Sequence, residues 1–303
     1  MKVKVLLTGA TGQLGQALQQ KVPEEVDLIS LCRDDLDLAD NQACRKVIYQ
    51  IKPNWVINAG AYTAVDKAET EAKLAYSINE GAPNAFALAL ADIGGRLLQI
   101  STDFVFSGSQ GVPYKVHQPV EPLGVYAASK AAGENAALKC PGSCVVRTSW
   151  LYSHIGHNFC LTMLRLHAAK AAKEEVLSVV ADQVGCPTST FTLAEACWRL
   201  ICLNKIAINR SVFHWSDAGV ASWYDFAVAI GELGTSHGLL EKSALVKPIS
   251  TDEYPTPAHR PSYSLLDCSE TTNILKLEQQ HWRLSLSEVF KQIRVDLALD
   301  KAI

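Results

Sequence analysis

The chain has 303 residues, of which 48% are apolar and 19% charged, with a formal net charge of −3. That length and apolar share suit a large α/β domain with a smaller one and exclude a disordered chain. The charge balance leaves no electrostatic footprint for DNA, RNA or an anionic membrane, and no apolar run approaches the roughly 20 residues needed to cross a bilayer.

The first residues pass straight into a strand-like run, without the apolar stretch and cleavage site of a secretory signal. The nine cysteines sit singly with no C-x-x-C pair, so neither a zinc ribbon nor a redox motif is expected. Reduced, buried cysteine in a cytoplasmic protein is the expectation.

In chain order, Val3–Leu7 reads as a buried strand, Gln13–Lys21 as a helix and Val26–Leu31 as a second strand. Asn41–Ile51 reads as a helix and Trp55–Asn58 as a third strand. A long helical stretch, Ala75–Ile93, is expected to break near Gly81-Ala82-Pro83. Strand Leu97–Ile100, helix Tyr126–Leu138 and strand Cys144–Arg147 follow. Continuous apolar strands alternating with helices predict a doubly wound parallel sheet of the Rossmann type over residues 1–150. Beyond it the pattern loosens. Strands Leu177–Ala181 and Ser211–His214 alternate with helices Phe191–Leu203 and Ser222–Leu233, and Tyr254–Pro261 is too proline-rich for helix or central strand. Residues 151–303 are expected to form mainly a smaller α/β substrate lobe, with crossovers back to the first domain.

Between the first strand and first helix lies Gly9-x-x-Gly12-x-x-Gly15. Gly9 permits a tight turn, Gly12 lets the backbone approach a pyrophosphate and Gly15 allows close packing of the helix. The helix N-terminus supplies free N–H groups for phosphate. The second strand ends Cys32-Arg33-Asp34, where an acid would hold an adenosine ribose hydroxyl. Arg33 there predicts NADPH as the preferred cofactor, or acceptance of NADPH and NADH alike; a solvated surface charge is the alternative.

Tyr126-x-x-x-Lys130 opens a helix with two side chains on one face. A nearby ammonium stabilises tyrosinate and lowers the tyrosine pKa, so the phenol can protonate a carbonyl oxygen as hydride reaches the carbon. Past the fourth strand, Thr102 offers a hydroxyl to that oxygen or to the phenol, and strand alternation points Ser101 the other way. Asp103 reads as a turn carboxylate or a site residue. Asn58–Glu69 is rich in small residues that leave room for a cofactor, or forms a helix-capping turn.

Taken together, these residues resemble the extended short-chain dehydrogenase/reductase superfamily and, more closely, the dTDP-4-dehydrorhamnose reductase family. The similarity runs through Gly9–Gly15, Leu36-Asp37-Leu38, Asn58–Glu69, Ser101–Phe106 and Pro122–Lys130. It continues through Arg147–Tyr152, Asn158-Phe159, Asp182–Thr188 and Arg260-Pro261. The resemblance implies reduction of the 4-keto group of dTDP-4-dehydro-L-rhamnose to dTDP-L-rhamnose, the last step in making that nucleotide sugar. It implies cofactor contacts at Gly12, Gln13, Leu14, Asp37, Leu38, Ala61, Tyr62, Thr63, Tyr126 and Lys130. It implies substrate contacts at Thr102, Asp103, Tyr126 and Trp150, the last stacking on an apolar face of sugar or base, or else packing between lobes. Some members use Mg²⁺ at a dimer contact built from carboxylates. This chain shows only a lone Glu195 in that respect, so no metal is predicted and either a monomer or a homodimer is expected. An epimerase or dehydratase acting on a similar substrate, and a non-catalytic module like the regulatory subunit of methionine adenosyltransferase, are the competing readings. A dehydratase would want an acid pair after the fourth strand, where this chain has Asp103 alone.

Overall fold

The computed structural model describes residues 2–203 and 211–300. Its first half runs β1 (Val3–Thr8), α1 (Gln13–Gln20), β2 (Val26–Leu31), α2 (Asn41–Ile51) and β3 (Trp55–Asn58). Then come α3 (Val65–Ala68), α4 (Ala72–Tyr76), α5 (Ala82–Ile93), β4 (Arg96–Thr102), α6 (Val125–Ala137) and β5 (Cys144–Thr148). The second half begins with β6 (Leu151–Tyr152), α7 (Phe159–Ala171), β7 (Leu177–Val180), β8 (Val184–Gly185), β9 (Thr188–Ser189) and α8 (Thr190–Cys202). It ends with β10 (Val212–His214), β11 (Ala221–Ser222), α9 (Trp223–Ser236), β12 (Val246–Ile249), α10 (Ser269–Leu275) and α11 (Trp282–Asp300).

Six strands lie side by side in the order β2-β1-β3-β4-β5-β10, all parallel. Their continuous apolar runs serve two faces at once. Leu7, Ile57, Leu98 and Val146 join a core with α1 and α8, while Leu6, Val56, Leu97 and Val145 join one with α2 and α5. Successive residues on each strand thus go to opposite faces, as a pleated strand requires. The chain leaves β1 for β2 and then returns to place β3 on the other flank of β1. That reversal opens a crevice beyond the carboxyl ends of β1 and β3, the place where open α/β sheets bind ligands.

The expected break near Pro83 takes a different form. The helix passes through a π-turn, Ser77–Gly81, and Pro83 falls in the first turn of α5. A proline is tolerated there, and the wider turn before it absorbs the change of pattern.

The second half builds three two-stranded sheets, β11-β8, β12-β7 and β6-β9. They surround a separate core in which α7, α9 and α11 place Met163, Phe226, Ile230, Leu286 and Phe290. The chain also goes back to the large sheet: β10 is its edge strand, and α8 lies on α1, where the Trp198 indole N–H donates to the Leu18 carbonyl at 3.1 Å. Tyr254–Pro261 is neither helix nor strand. All nine cysteines are free, and seven are buried. No described helix is long and apolar enough to cross a membrane.

Candidate active site

β1 ends in a turn where Gly9 has φ +69° and a Cβ would lie 2.6 Å from the backbone nitrogen of Gly60. The turns after β1 and β3 therefore touch because Gly9 has no side chain. At Gly15 a Cβ would fall 2.2 Å from the Gly9 carbonyl oxygen, so α1 sits directly on the turn. Gly12 is the N-cap of α1 and supplies no side-chain cap. The first N–H groups of the helix are left for a ligand.

The turn forms one wall of a cleft of about 600 Å³, contributing Gly9, Gly12, Gln13 and Leu14. Arg33, Asp37 and Leu38 reach it from the end of β2, Ala61 and Thr63 from the loop after β3, and Tyr126 and Lys130 from α6. Thr102, Asp103 and Trp150 line it as well. Tyr62 is the exception among the expected residues. Its hydroxyl donates to Glu71 Oε2 at 2.7 Å, away from the cleft, while its backbone N–H and carbonyl bond the Asn79 amide at 2.9 and 3.1 Å. Asn79 also donates to Ser129 on α6 at 3.0 Å, so Tyr62 serves as a fixed point between loop and helix.

β4 delivers Thr102, whose hydroxyl donates to Asp103 Oδ1 at 3.0 Å and accepts from the Phe104 N–H at 3.2 Å. Ser101 points the other way, as the alternation predicts, and donates to Glu134 at 2.5 Å. Burial pushes the Asp103 carboxyl up to about 6, against hydrogen bonds from Ser264 and Thr102. Asp103 Oδ2 has no well-aligned partner of its own, although the Ser264 hydroxyl lies beside the carboxyl.

α6 begins after Gly124, which cannot cap it; Glu69 substitutes by accepting the Val125 N–H at 2.9 Å. At the second residue of the helix, the Tyr126 ring meets Phe104 edge-on, with centroids 6.0 Å apart. Lys130 is buried and its Nζ donates to the Ile100 carbonyl at 2.6 Å. Burial draws the Lys130 ammonium down to about 8, and the Glu134 carboxylate opposes that fall. The Tyr126 phenol is pushed up to about 12 by its loss of solvent; a hydrogen bond with Thr102 resists, and the charge of Asp103 adds to the rise. The direction expected from Y-x-x-x-K alone is thus reversed in this structure. The ammonium is directed at the Ile100 carbonyl, and loss of solvent favours the neutral phenol.

Trp150 follows β5 in the left-handed region, with φ 45°. That backbone costs a side-chain-bearing residue roughly 1–2 kcal/mol. It lays the ring against Trp223, with centroids 3.5 Å apart and planes within 6°. The Trp223 indole N–H donates in turn to Gln183 at 3.1 Å. Trp150 therefore packs between elements of the second lobe and also lines the cleft.

Sequence reasoning gave no role to Thr148 or Ser149, which also line the cleft, although both fall in the Arg147–Tyr152 piece. Gly156 and His157 had no signal at all. They reach the cleft because Asn158 caps α7 through the Leu161 N–H at 2.9 Å and also donates to Gln13 Oε1 at 2.8 Å. Across the fold, Arg260 pairs with Asp66 at 2.8 Å, tying the proline-rich stretch to α3. Among the described residues no group of three or more His, Cys, Asp or Glu could hold a metal, and Glu195 pairs with Arg199 at 3.6 Å. Among the described residues Thr148 Oγ1, a buried polar atom of the cleft, has no hydrogen-bond partner, and Asp103 Oδ2 has only the poorly aligned Ser264 hydroxyl. With the glycine cradle, they fit a polar ligand lying across the strand ends.

The family model described as RmlD substrate binding domain matches residues 3–295. The chain belongs to this family. A dTDP-4-dehydrorhamnose reductase of Aggregatibacter actinomycetemcomitans is 36% identical over 293 residues, covering 94% of this chain and 98% of its own length. Among solved structures, a dTDP-4-dehydrorhamnose reductase from Clostridium acetobutylicum superposes with a TM-score of 0.87 at 38% identity, covering 96% of this chain and all of that one. The dTDP-4-dehydrorhamnose reductase from Bacillus anthracis, solved in complex with NADP, gives 0.86 at 35% identity, again covering 96% of this chain and all of its own.

Proposed function

We propose that this protein reduces the 4-keto group of dTDP-4-dehydro-L-rhamnose, using NADPH, to give dTDP-L-rhamnose and so completes the synthesis of that nucleotide sugar. The observation that carries the reading is one cleft lined by the Gly9–Leu14 turn, Thr102, Tyr126 and Lys130, in a chain aligned end to end with reductases of that name.

The N-terminus of α1 and the glycine turn would hold the cofactor's phosphates, with Leu38, Ala61, Thr63 and the loop set by Tyr62 along its length. Arg33 is exposed at the rim, where its guanidinium suits a ribose 2′-phosphate, and no acid at position 32 competes for the ribose hydroxyl. NADPH is accordingly the preferred cofactor. When bound, it supplies the hydride that the carbonyl carbon gains. The proton for the carbonyl oxygen comes from the Tyr126 phenol, which the folded protein keeps neutral with its pKa at about 12. Lys130, charged below about pH 8, stabilises the phenolate left behind, and solvent returns the proton. Thr102 hydrogen-bonds the reacting oxygen, and Trp150 offers its ring to the sugar or base.

Purified protein mixed with dTDP-4-dehydro-L-rhamnose and NADPH should consume the two one for one, read as loss of nicotinamide absorbance and appearance of dTDP-L-rhamnose. Consumption only with a 4-keto sugar on another nucleotide would correct the substrate. No consumption with any 4-keto sugar nucleotide, with either reduced cofactor, would defeat the reading.

A further inference from the structure

Glu134 takes no part in the chemistry above, yet the fold surrounds it with donors. It follows Lys130 by one turn of α6, on the same side of the helix, and is 4% exposed. Arg147 grips its carboxylate through Nε at 2.9 Å and Nη2 at 2.6 Å, and Ser101 donates to the same group. Arg147 is as deeply buried, its Nη1 bonded to the Val116 carbonyl at 3.3 Å and its guanidinium 5.0 Å above the Phe106 ring. His214 lies 3.4 Å from Arg147 Nη1; burial, reinforced by the Arg147 charge, pushes it down to about 3 and leaves it neutral.

The interior beneath the cleft thus holds two cations, Lys130 and Arg147, and one anion between them. Ionic groups in such a place contribute little to stability compared with apolar packing, because desolvation offsets their attraction. Their placement matters more. The Lys130 ammonium rests on a neutral carbonyl, so Glu134 is the charge that favours its protonated form. Ser101 and Arg147 are cross-strand neighbours on β4 and β5, so a carboxylate held by both fastens α6 to two strands at once. The other groups around this helix are Tyr126 and Asp103 at the cleft, Glu69 at the helix start and the uncharged Asn79, which reaches Ser129.

We propose that Glu134, clamped by Arg147 and Ser101, is a positioning residue for the reduction, holding Lys130 as an ammonium and α6 in place against β4 and β5. The inference rests on the reading of Tyr126 and Lys130 as the reacting pair.

The test is the pH dependence of kcat/KM for NADPH, measured with dTDP-4-dehydro-L-rhamnose. In the wild type, activity should fall as pH rises through about 8, the value to which burial draws the Lys130 ammonium. Glu134→Gln removes the anion and leaves Arg147, so the alkaline limb moves down by about one pH unit or more. Arg147→Met removes the cation and leaves the anion, so the limb moves up. If a single variant does not fold, the double variant Glu134→Gln/Arg147→Met, which leaves no unpaired buried charge, carries the test, and its limb also moves down. Lower rates at every pH with an unmoved limb would make Glu134 structural only and overturn the proposal. Lys130→Met separates the two claims. Retained turnover in that variant would remove the reacting pair itself, whereas lost turnover with unmoved limbs in the Glu134 variants would remove only the role given to Glu134.

Discussion

Replacing Tyr126 by Phe deletes one oxygen and little else. The ring keeps its edge-on contact with Phe104, and the side chain loses its hydrogen bond with Thr102. Such a bond contributes about 1 kcal/mol net to stability, and the variant no longer buries a hydroxyl, so the fold should change by no more than that. The barrier should change far more. A positioned general acid accelerates a reaction roughly 10²–10⁴-fold, which corresponds to about 3–5 kcal/mol at 1.36 kcal/mol per tenfold. NADPH absorbance at saturating dTDP-4-dehydro-L-rhamnose gives kcat, quenching of tryptophan fluorescence gives NADPH affinity, and a thermal melt gives stability. The expected pattern is kcat down by at least 10²-fold, with NADPH affinity and Tm almost unchanged. A kcat within tenfold of the wild type would show that the proton comes from elsewhere. A loss confined to NADPH affinity would make Tyr126 a binding group.

Arg33→Ala should raise KM for NADPH about 10-fold or more and leave KM for NADH alone, since a charge-assisted contact to phosphate is worth about 1.5–3 kcal/mol; equal changes for both cofactors would disprove the assignment. Gly15→Ala puts a Cβ 2.2 Å from the Gly9 carbonyl oxygen, so it should displace the turn and weaken NADPH binding by more than tenfold, and unchanged affinity by titration would contradict the cradle. Asp103 holds its proton to about pH 6 in the fold against an ordinary 3.8, so the folded state binds more protons between those values; the stability this gives is full below 3.8 and lost as pH rises through 6. Asp103→Asn, which cannot ionise, should therefore melt higher than the wild type at about pH 7.5, with the difference shrinking toward about pH 4; a difference independent of pH would refute it.

What sequence made legible was whatever a local pattern determines. β1 and its glycine turn, the two-faced apolar strands, and Tyr126 with Lys130 on one face of α6 all follow from the period of the chain and the lack of a Cβ. Tertiary neighbours were not legible. Y-x-x-x-K places an ammonium one turn from a phenol, but says nothing of the Ile100 carbonyl that accepts the ammonium's hydrogen bond at 2.6 Å. Tyr62 stood in a motif rich in small residues, yet Glu71 captures its hydroxyl. Glu134 meets Ser101 from 33 residues away and Arg147 from 13, a separation that carries no periodic signal. Gly81-Ala82-Pro83 predicts a break, whereas the wider turn that precedes Pro83 packs against α6, a contact no local pattern reveals.

The division of labour in the site comes from register as much as from residue identity. Ser101 pairs with Arg147, and Thr102 with Thr148, across β4 and β5. The pleat turns consecutive residues to opposite sides. Ser101 and Arg147 therefore direct their polar atoms beneath α6 to Glu134, while Thr102 and Thr148 present theirs at the cleft. One layer is ionic and the other holds hydroxyls, and α6 crosses both, with Tyr126 at the second, Glu134 at the first and Lys130 between. A slip of one residue on either strand would exchange the layers, leaving a guanidinium or a serine at the cleft and a threonine facing a buried carboxylate. The four strand residues and the helix must hold this register to keep the Tyr126 phenol and the Lys130 ammonium at the cleft, as the proposed reduction requires.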